Sequence, residues 1–594
     1  MDNNFNLQII KLFNQNNFKE LEKKANFYLK TNNNFIVKNM LGAALIKQNK
    51  FQQANKVLSE LINEKPKYLD PYYNIVISLV AIGKNDIAAK YLIEANNICE
   101  TKKDKLRFKN LYGELLLRTK KFNDSKKIFN EILSIDPKNS KAILNYSSIL
   151  IRKKLFKETI VFLEKHIKVM NNIEGLWINL GIAYSEEKEI QKGIDCFNSS
   201  LEINNKNHFT YYNLGKSFEL LEDYRKAIKY FEKSIKQDSK FPHSHYNLGC
   251  TLDKIGKISE AAESFKKSLK IMSNHESAKL NLSHAQLELG QLKEGWKNYE
   301  FRSDIKLFRK KILNESQVWK GQKLNNLLVV HREQGIGEEI LFGSIFKDLS
   351  KFHNDTAAIL DKRLVEIFKR SFPKIQFTDH NTKVKNYEKA KHISIGSLGM
   401  FFRNSLKNFN NKHWLIPSKK LAEEYKKKIK NNGKIKVGIG WKSIGTNNEK
   451  IDERRNISLL QLTDIFPENK YELINLQYGE VNEELISIKK EQNKKIILFN
   501  DIDYKNDLED LAAIIYNCDL VVSIGSFTAS FAGSLGIPTW ALISSHTKPS
   551  WIWTSAKKNQ SLWFPSIKFF KQSENENWLK VLKKVKAELS QKYN

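Results

Sequence analysis

Two hydrophobic periodicities divide the chain. Up to about residue 302, apolar residues recur at helical spacing, and the same residue types return every 34 positions: NLG at 179–181, 213–215 and 247–249, then NLS at 281–283. Stepping back by 34 puts Tyr146 and Tyr112 at the Leu180 position. Seventeen residues after each first anchor stands a second: Phe129, Leu163, Phe197, Phe231, Phe265 or Tyr299. Small residues (Gly193, Ala227, Ala261, Gly295) fall between them, where two helices must approach closely. Earlier units centre on Leu41 and Ile75, about three extra residues precede Tyr112, and Pro66 and Pro137 sit at unit ends, where a helix must stop. A fixed period of this length predicts stacked helix pairs that bury a continuous core and leave a surface for partners.

After residue 318 the pattern changes to short apolar runs separated by helical stretches. The runs are LLVV (327–330), AAIL (357–360), IQFT (375–378), HISI (392–395), KVGIGW (436–441), YELINL (471–476), KIILF (495–499), DLVVSI (519–524) and TWALI (539–543). Strand–helix alternation predicts parallel sheets with crossover helices, and ligands then sit at the carboxyl ends of the strands. The expected organisation is repeats over 1–302 (eight or nine helix pairs), a first α/β lobe over 303–412, a linker at 413–434 carrying Pro417, and a second lobe over 435–594 that ends in a helix.

Both halves resemble known families. The 34-residue pattern resembles the tetratricopeptide repeat, which implies an all-α superhelix of antiparallel helix pairs. VWKGQKLNNLLVVHREQGIGEEILF (318–342), VGIGWKS (437–443), RRNISL (454–459), NLQYG (475–479) and AGSLGIPTW (532–540) resemble, in order, the heptosyltransferase-like domain of glycosyltransferase family nine. The GWKNYEFR junction (295–302) is similar to the one that joins such repeats to such a domain in bacteria. The implied architecture is a tetratricopeptide superhelix followed by an α/β GT-B domain of two Rossmann-like lobes. The implied activity is inverting, metal-independent sugar transfer from a nucleotide diphosphate sugar, with no other cofactor.

Glycosyl transfer needs a base for the acceptor hydroxyl and cationic or dipolar groups for the leaving diphosphate. By resemblance the base is the acid after the glycine turn of HREQGIGEEILF, here Glu338 in place of the family's Asp. Gln334, Gly335 and Gly337 form the acceptor-side turn, the glycines letting the backbone bend tightly. Glu338 equally suits a helix N-terminus on dipole grounds alone. For the donor, the turn after DLVVSI offers Ser526, Thr528, Ser530 and Gly533 at a helix start that can hold phosphate. Lys442, Arg454 and Arg455 add charge, and Gln477 stands at a strand end where it can face base or ribose. The bland alternatives are a solvated Lys442 and an ordinary loop Gln477. Where the family reads DTSxxHxAG, this chain has Gly525 and Ser530 at the acid and histidine positions, which leaves open a second function: a degenerate transferase serving as a protein-interaction scaffold.

In the repeats, asparagine precedes the first anchor at Asn74, Asn145, Asn179, Asn213, Asn247 and Asn281. An amide both donates and accepts, so a ladder of them can pair with any peptide backbone; it is similar to the ladder in protein O-GlcNAc transferases. The alternative is that these amides serve contacts between helices. The polypeptide, or else an envelope glycan, would be the acceptor.

Composition changes this picture little. The net charge of +33 is spread along 594 residues, mostly as lysine, without an Arg-rich cluster, so nucleic-acid binding is not expected and peripheral contact with an anionic membrane stays open. MDNNFNLQIIKLF has no signal-peptide pattern, no apolar run is long enough to span a bilayer, and Cys99, Cys196, Cys250 and Cys518 lack metal or disulfide spacing. The chain reads as cytoplasmic. Asp501 and Asp503 have the spacing of a metal-binding Asp-x-Asp, but read as acids leading a helix.

Overall fold

The computed structural model describes residues 2–311, 315–409, 412–443, 454–545, 550–553, 555–557, 559–573 and 576–593. The chain divides into two compact units at 237/238. The first unit holds seven helix pairs, from Asp2–Asn14 with Phe18–Tyr28 to His208–Leu220 with Tyr224–Gln237. The second begins with two more pairs, Pro242–Lys254 with Ile258–Ile271 and Glu276–Glu288 with Leu292–Tyr299, and continues into two sheets.

The repeat period has a steric origin. A Cβ on Gly113, Gly181, Gly215 or Gly249 would stand 2.6 Å from the ring of Phe129, Phe197, Phe231 or Phe265, respectively. The first helix of a pair thus carries a glycine where the second inserts an aromatic ring, and neither partner can change alone. Each turn inside a pair uses one residue in the left-handed region: Asn16, Asn49, Gly83, Lys120, Lys154, Lys188 and Glu222 in the first unit, Gly256 and Gly290 in the second. From Lys120 to Gly290 these turns recur at 34-residue spacing.

Each of the nine apolar runs overlaps a strand. β1 (Leu328–His331), β2 (Thr356–Ile359), β3 (Gln376–Thr378) and β4 (Lys391–Ser394) form a parallel sheet in the order β3-β2-β1-β4. β5 (Ile435–Gly440), β6 (Tyr471–Asn475), β7 (Ile496–Ile497), β8 (Leu520–Ile524) and β9 (Thr539–Ile543) belong to a second. Three strands were not legible as such: β10 (Ser555–Lys557), β11 (Gln560–Ser561) and β12 (Ile567–Lys571). β12 lies parallel beside β9, and β10 and β11 add an antiparallel edge, giving the order β10-β11-β12-β9-β8-β5-β6-β7. The helix Lys419–Ile429, in the stretch expected to be a linker, packs on Leu508–Tyr516, with the Tyr425 hydroxyl donating to Asp510 at 3.0 Å.

Within the second unit the last helix pair is built into the α/β core. Trp296 is 1% exposed, its indole N–H donates to the Arg403 carbonyl at 2.8 Å, and its ring meets those of Tyr299, Phe342, Trp551 and Trp563 edge-on. Among the described residues no helix is long and apolar enough to cross a membrane, and no group of three or more His, Cys, Asp or Glu could hold a metal ion.

Candidate functional site

β1 ends at His331, and the chain turns through Gln334, whose φ of +55° lies in the left-handed region, to Gly335, the cap of the helix Ile336–Gly343. The Gln334 amide holds the turn by donating to the Tyr299 hydroxyl at 3.2 Å. A Cβ on Gly337 would meet nothing within 4 Å, so the backbone there faces open space.

The four polar residues of this turn have different tasks. Glu333 points away from any opening: it takes the Arg302 guanidinium on both carboxylate oxygens and also accepts from the Ser394 hydroxyl. Glu339 is fully buried, accepts from the Asp361 backbone N–H at 2.8 Å and lies 3.0 Å from Arg332 Nε. Its burial outweighs these partners and lifts its pKa to about 7. Gln334 is exposed. Glu338, half-buried, folds back so that a Cβ on Gly335 would stand 3.1 Å from its Oε2. Burial raises its pKa above the ordinary carboxylate value, against the lowering effect of hydrogen bonds from its own and the Gly335 backbone N–H.

The second turn follows β8. Ser526 caps the helix Phe527–Ser534 and its hydroxyl lies 3.3 Å from that of Ser523; Thr528 and Ser530 are buried. Gly533 stands away from the turn in the packing sense: its Cβ would lie 2.6 Å from Ile567 and 3.0 Å from Phe564, so a close approach of helix and strand accounts for it. The helices Ile336–Gly343 and Phe527–Ser534 pack against each other, which brings the Glu338 and Ser526 elements together.

Of the other residues expected to face the donor, Gln477 and Lys442 are engaged internally. Gln477 is 2% exposed; its Oε1 accepts from the backbone N–H of Trp441 (3.0 Å) and Lys442 (2.9 Å), and its amide donates to the Tyr478 carbonyl. Read as facing base or ribose, it instead clamps the end of β5. Lys442 pairs with Glu484 and donates to the Glu480 carbonyl at 2.8 Å. Arg454 and Arg455 are half-buried, and the Arg454 carbonyl accepts from Ser544. Asp501 pairs with Lys428 at 3.0 Å, and Asp503 accepts from the Lys505 backbone at 2.8 Å.

The asparagines donate inside the helix stacks. In the first unit Asn145 bonds Glu114 at 3.3 Å, Asn179 bonds the Ser147 hydroxyl at 2.8 Å and Asn213 bonds the Phe209 carbonyl at 2.8 Å. In the second, Asn281 bonds the Tyr246 hydroxyl at 3.3 Å, and Asn247 is half-buried. The amides of Asn145, Asn179, Asn213 and Asn281 thus each donate a hydrogen bond within the helix stacks.

A hollow of about 960 Å³, unforeseen from the sequence, lies beside His331, Arg332 and Ile359 and under the loop that joins β3 to β4, whose His380, Lys383 and Tyr387 complete its wall. His331 Nε2 lies 3.0 Å from His392 Nδ1 beneath the loop. Nothing in the local pattern marks these residues, because the β3–β4 crossover carries no apolar helix there.

Tetratricopeptide repeat models match residues 208–241 and, separately, 106–139, 175–207 and 242–275. Protein FlbA of Caulobacter vibrioides is 27% identical over 321 residues, 50% of this chain and 52% of FlbA, so the chain spans about half the length of the curated relative it matches. Among solved structures, MamA is 24% identical with a TM-score of 0.25, covering 27% of this chain and 94% of MamA. A human IFIT1 dimer with m7Gppp-AAAA is 17% identical with a TM-score of 0.33, covering 48% of this chain and 72% of that one. The helical half of this protein carries tetratricopeptide repeats, and a region of parallel sheets and helices follows them.

Proposed function

We propose that the repeats hold a protein or peptide and that the α/β half transfers a sugar to it from a nucleotide diphosphate sugar; an envelope glycan is the other acceptor class. The observation that carries this reading is the pair of matching strand–turn–helix elements, β1 into Ile336–Gly343 and β8 into Phe527–Ser534, one on each parallel sheet, with their helices packed together. Two such sheets suit a GT-B cleft, with ligands at the strands' carboxyl ends. Glu338 serves as base: burial raises its proton affinity, so it can accept the acceptor hydroxyl's proton as the sugar bond forms. The helix start at Ser526, with the Thr528 and Ser530 hydroxyls nearby, suits the departing diphosphate.

Specific observations favour a second reading, a degenerate transferase kept as a scaffold. Gln477 and Lys442 are spent on internal partners, and Gly525 and Ser530 replace the acid and histidine of the family it resembles.

Thermal unfolding of the full chain with a panel of nucleoside diphosphates and their sugar conjugates separates the two. One diphosphate should raise Tm selectively, Ser526→Ala should lose the shift, and Glu338→Gln should keep it while abolishing turnover. A well-folded chain that responds to none of them leaves the scaffold reading.

A further inference from the structure

From Phe35–Lys47 to Glu276–Glu288, the first helix of every pair has 13 residues, except Lys102–Arg118, which has 17. The extra turn absorbs the residues that break the 34-residue period before Tyr112. Thr101 caps it by accepting from the Asp104 backbone at 3.1 Å. Its added surface is basic, with Lys102, Lys103, Lys105 and Arg107 in one stretch.

This turn and the loop before Ser140–Arg152 enclose a pocket of about 560 Å³ in the first unit. Exposed Lys103, Lys138 and Lys141 stand at its rim; Lys138 donates its backbone N–H to Asp136 at 3.3 Å, and among the described residues none of the three ammonium groups pairs with a carboxylate. Its two acids are already engaged: Asp136 accepts from Asn139 at 3.1 Å, and Glu114 from Asn145 at 3.3 Å. In its floor Asn110 is 6% exposed and donates to the Leu106 carbonyl at 2.9 Å, while its Oδ1 has no partner. Leu106 and Leu111 add apolar wall.

We infer that this pocket is a docking site for an acidic segment of a protein partner, two or more Asp or Glu side chains meeting the lysine rim while the segment's backbone lies over the asparagine floor. Carboxylates match a rim of flexible, singly charged donors. Nucleic acid fits less well: the aromatic side chain here, Tyr73, has its face covered by the Arg107 guanidinium at 4.2 Å, and Arg107 is itself tied to Asp70 at 2.9 Å. A base has no free ring on which to stack. The site rests on the protein-binding reading of the repeats and not on sugar transfer, so a failed nucleotide titration leaves it standing.

The test is fluorescence anisotropy of a labelled Gly-Ser-Asp-Glu peptide with the full chain at about 0.15 M salt, where general attraction is screened. A matched peptide with Asn and Gln should bind far less. Lys138→Glu with Lys141→Glu should weaken the acidic peptide on the order of tenfold. The same reversal at exposed Lys489 and Lys490, on the helix Asn482–Gln492 of the other unit, should leave it within about twofold. Circular dichroism should give all variants one melting profile for the helices. Three results each overturn the site: no binding by the unaltered chain, an equal loss in both double variants, or displacement of the peptide by a lower concentration of oligothymidine.

Discussion

Arg302 and Glu333 form an ion pair with both side chains 2% exposed, Nη2 lying 2.8 Å from Oε2, and so join the end of the last repeat to the first strand of the α/β region. Arg302 also donates to the Tyr299 carbonyl at 2.9 Å and the Ser397 hydroxyl at 3.0 Å, so the guanidinium is saturated without water. Glu300 also pairs with Arg302 at 3.0 Å, so removing Glu333 leaves the buried guanidinium with one carboxylate where it had two and with the donors that faced Glu333 unpaired. Glu333→Ala should cost roughly 3–5 kcal/mol in urea unfolding of the second unit. Replacing both partners by apolar residues of similar volume should recover most of that, which a double-mutant comparison would show.

Glu339 predicts a pH dependence of stability. Burial raises its folded pKa to about 7 from the ordinary 4.5, so between these values the folded chain holds a proton that the unfolded chain has lost. Its contribution is therefore present at low pH and falls as pH rises from about 4.5 to about 7, by roughly 3 kcal/mol over the window. Glu339→Gln, which keeps an acceptor for the Asp361 N–H, should flatten that slope; an unchanged slope would place the titration elsewhere.

The repeat glycines and Gly337 should respond oppositely to the same substitution. Gly215→Ala puts a methyl 2.6 Å from the Phe231 ring and should destabilise by about 1–3 kcal/mol, despite alanine's better helix propensity. Gly337→Ala meets empty space and should stabilise by up to about 1 kcal/mol. Loss of turnover in that more stable variant would mark the space above the turn as the place an acceptor enters.

Lys154, Lys188 and Glu222 occupy left-handed turn positions that Gly256 and Gly290 fill in the second unit. Lys188→Gly should therefore raise stability by up to about 1 kcal/mol, the strain of a side chain at positive φ exceeding glycine's entropic cost. Paired thermal melts of Lys154→Gly and Lys188→Gly would check that the gain is similar at both turns.

The helix pairs and the nine strands were legible because each depends on short-range order: a glycine matched to an aromatic residue sixteen positions on, or an apolar run between turns. β12 was missed because IKFFK follows a proline-containing stretch and completes its sheet by pairing with β9. The hydrogen-bond partners of the candidate site residues were not legible. Gln477 looked like a ligand contact at a strand end, yet two backbone N–H groups of another strand claim its oxygen.

By itself, then, the sequence determined where helices and strands form, the 34-residue repeat and the two glycine turns that end β1 and β8, since all of these follow from local sterics and periodicity. Only the tertiary structure decided which acid at the first turn is anchored by Arg302, which is buried on Asp361, and which remains at the mouth. Charge state and hydrogen-bond partners are set by burial and by residues distant in the chain, and no spacing within HREQGIGEE encodes them.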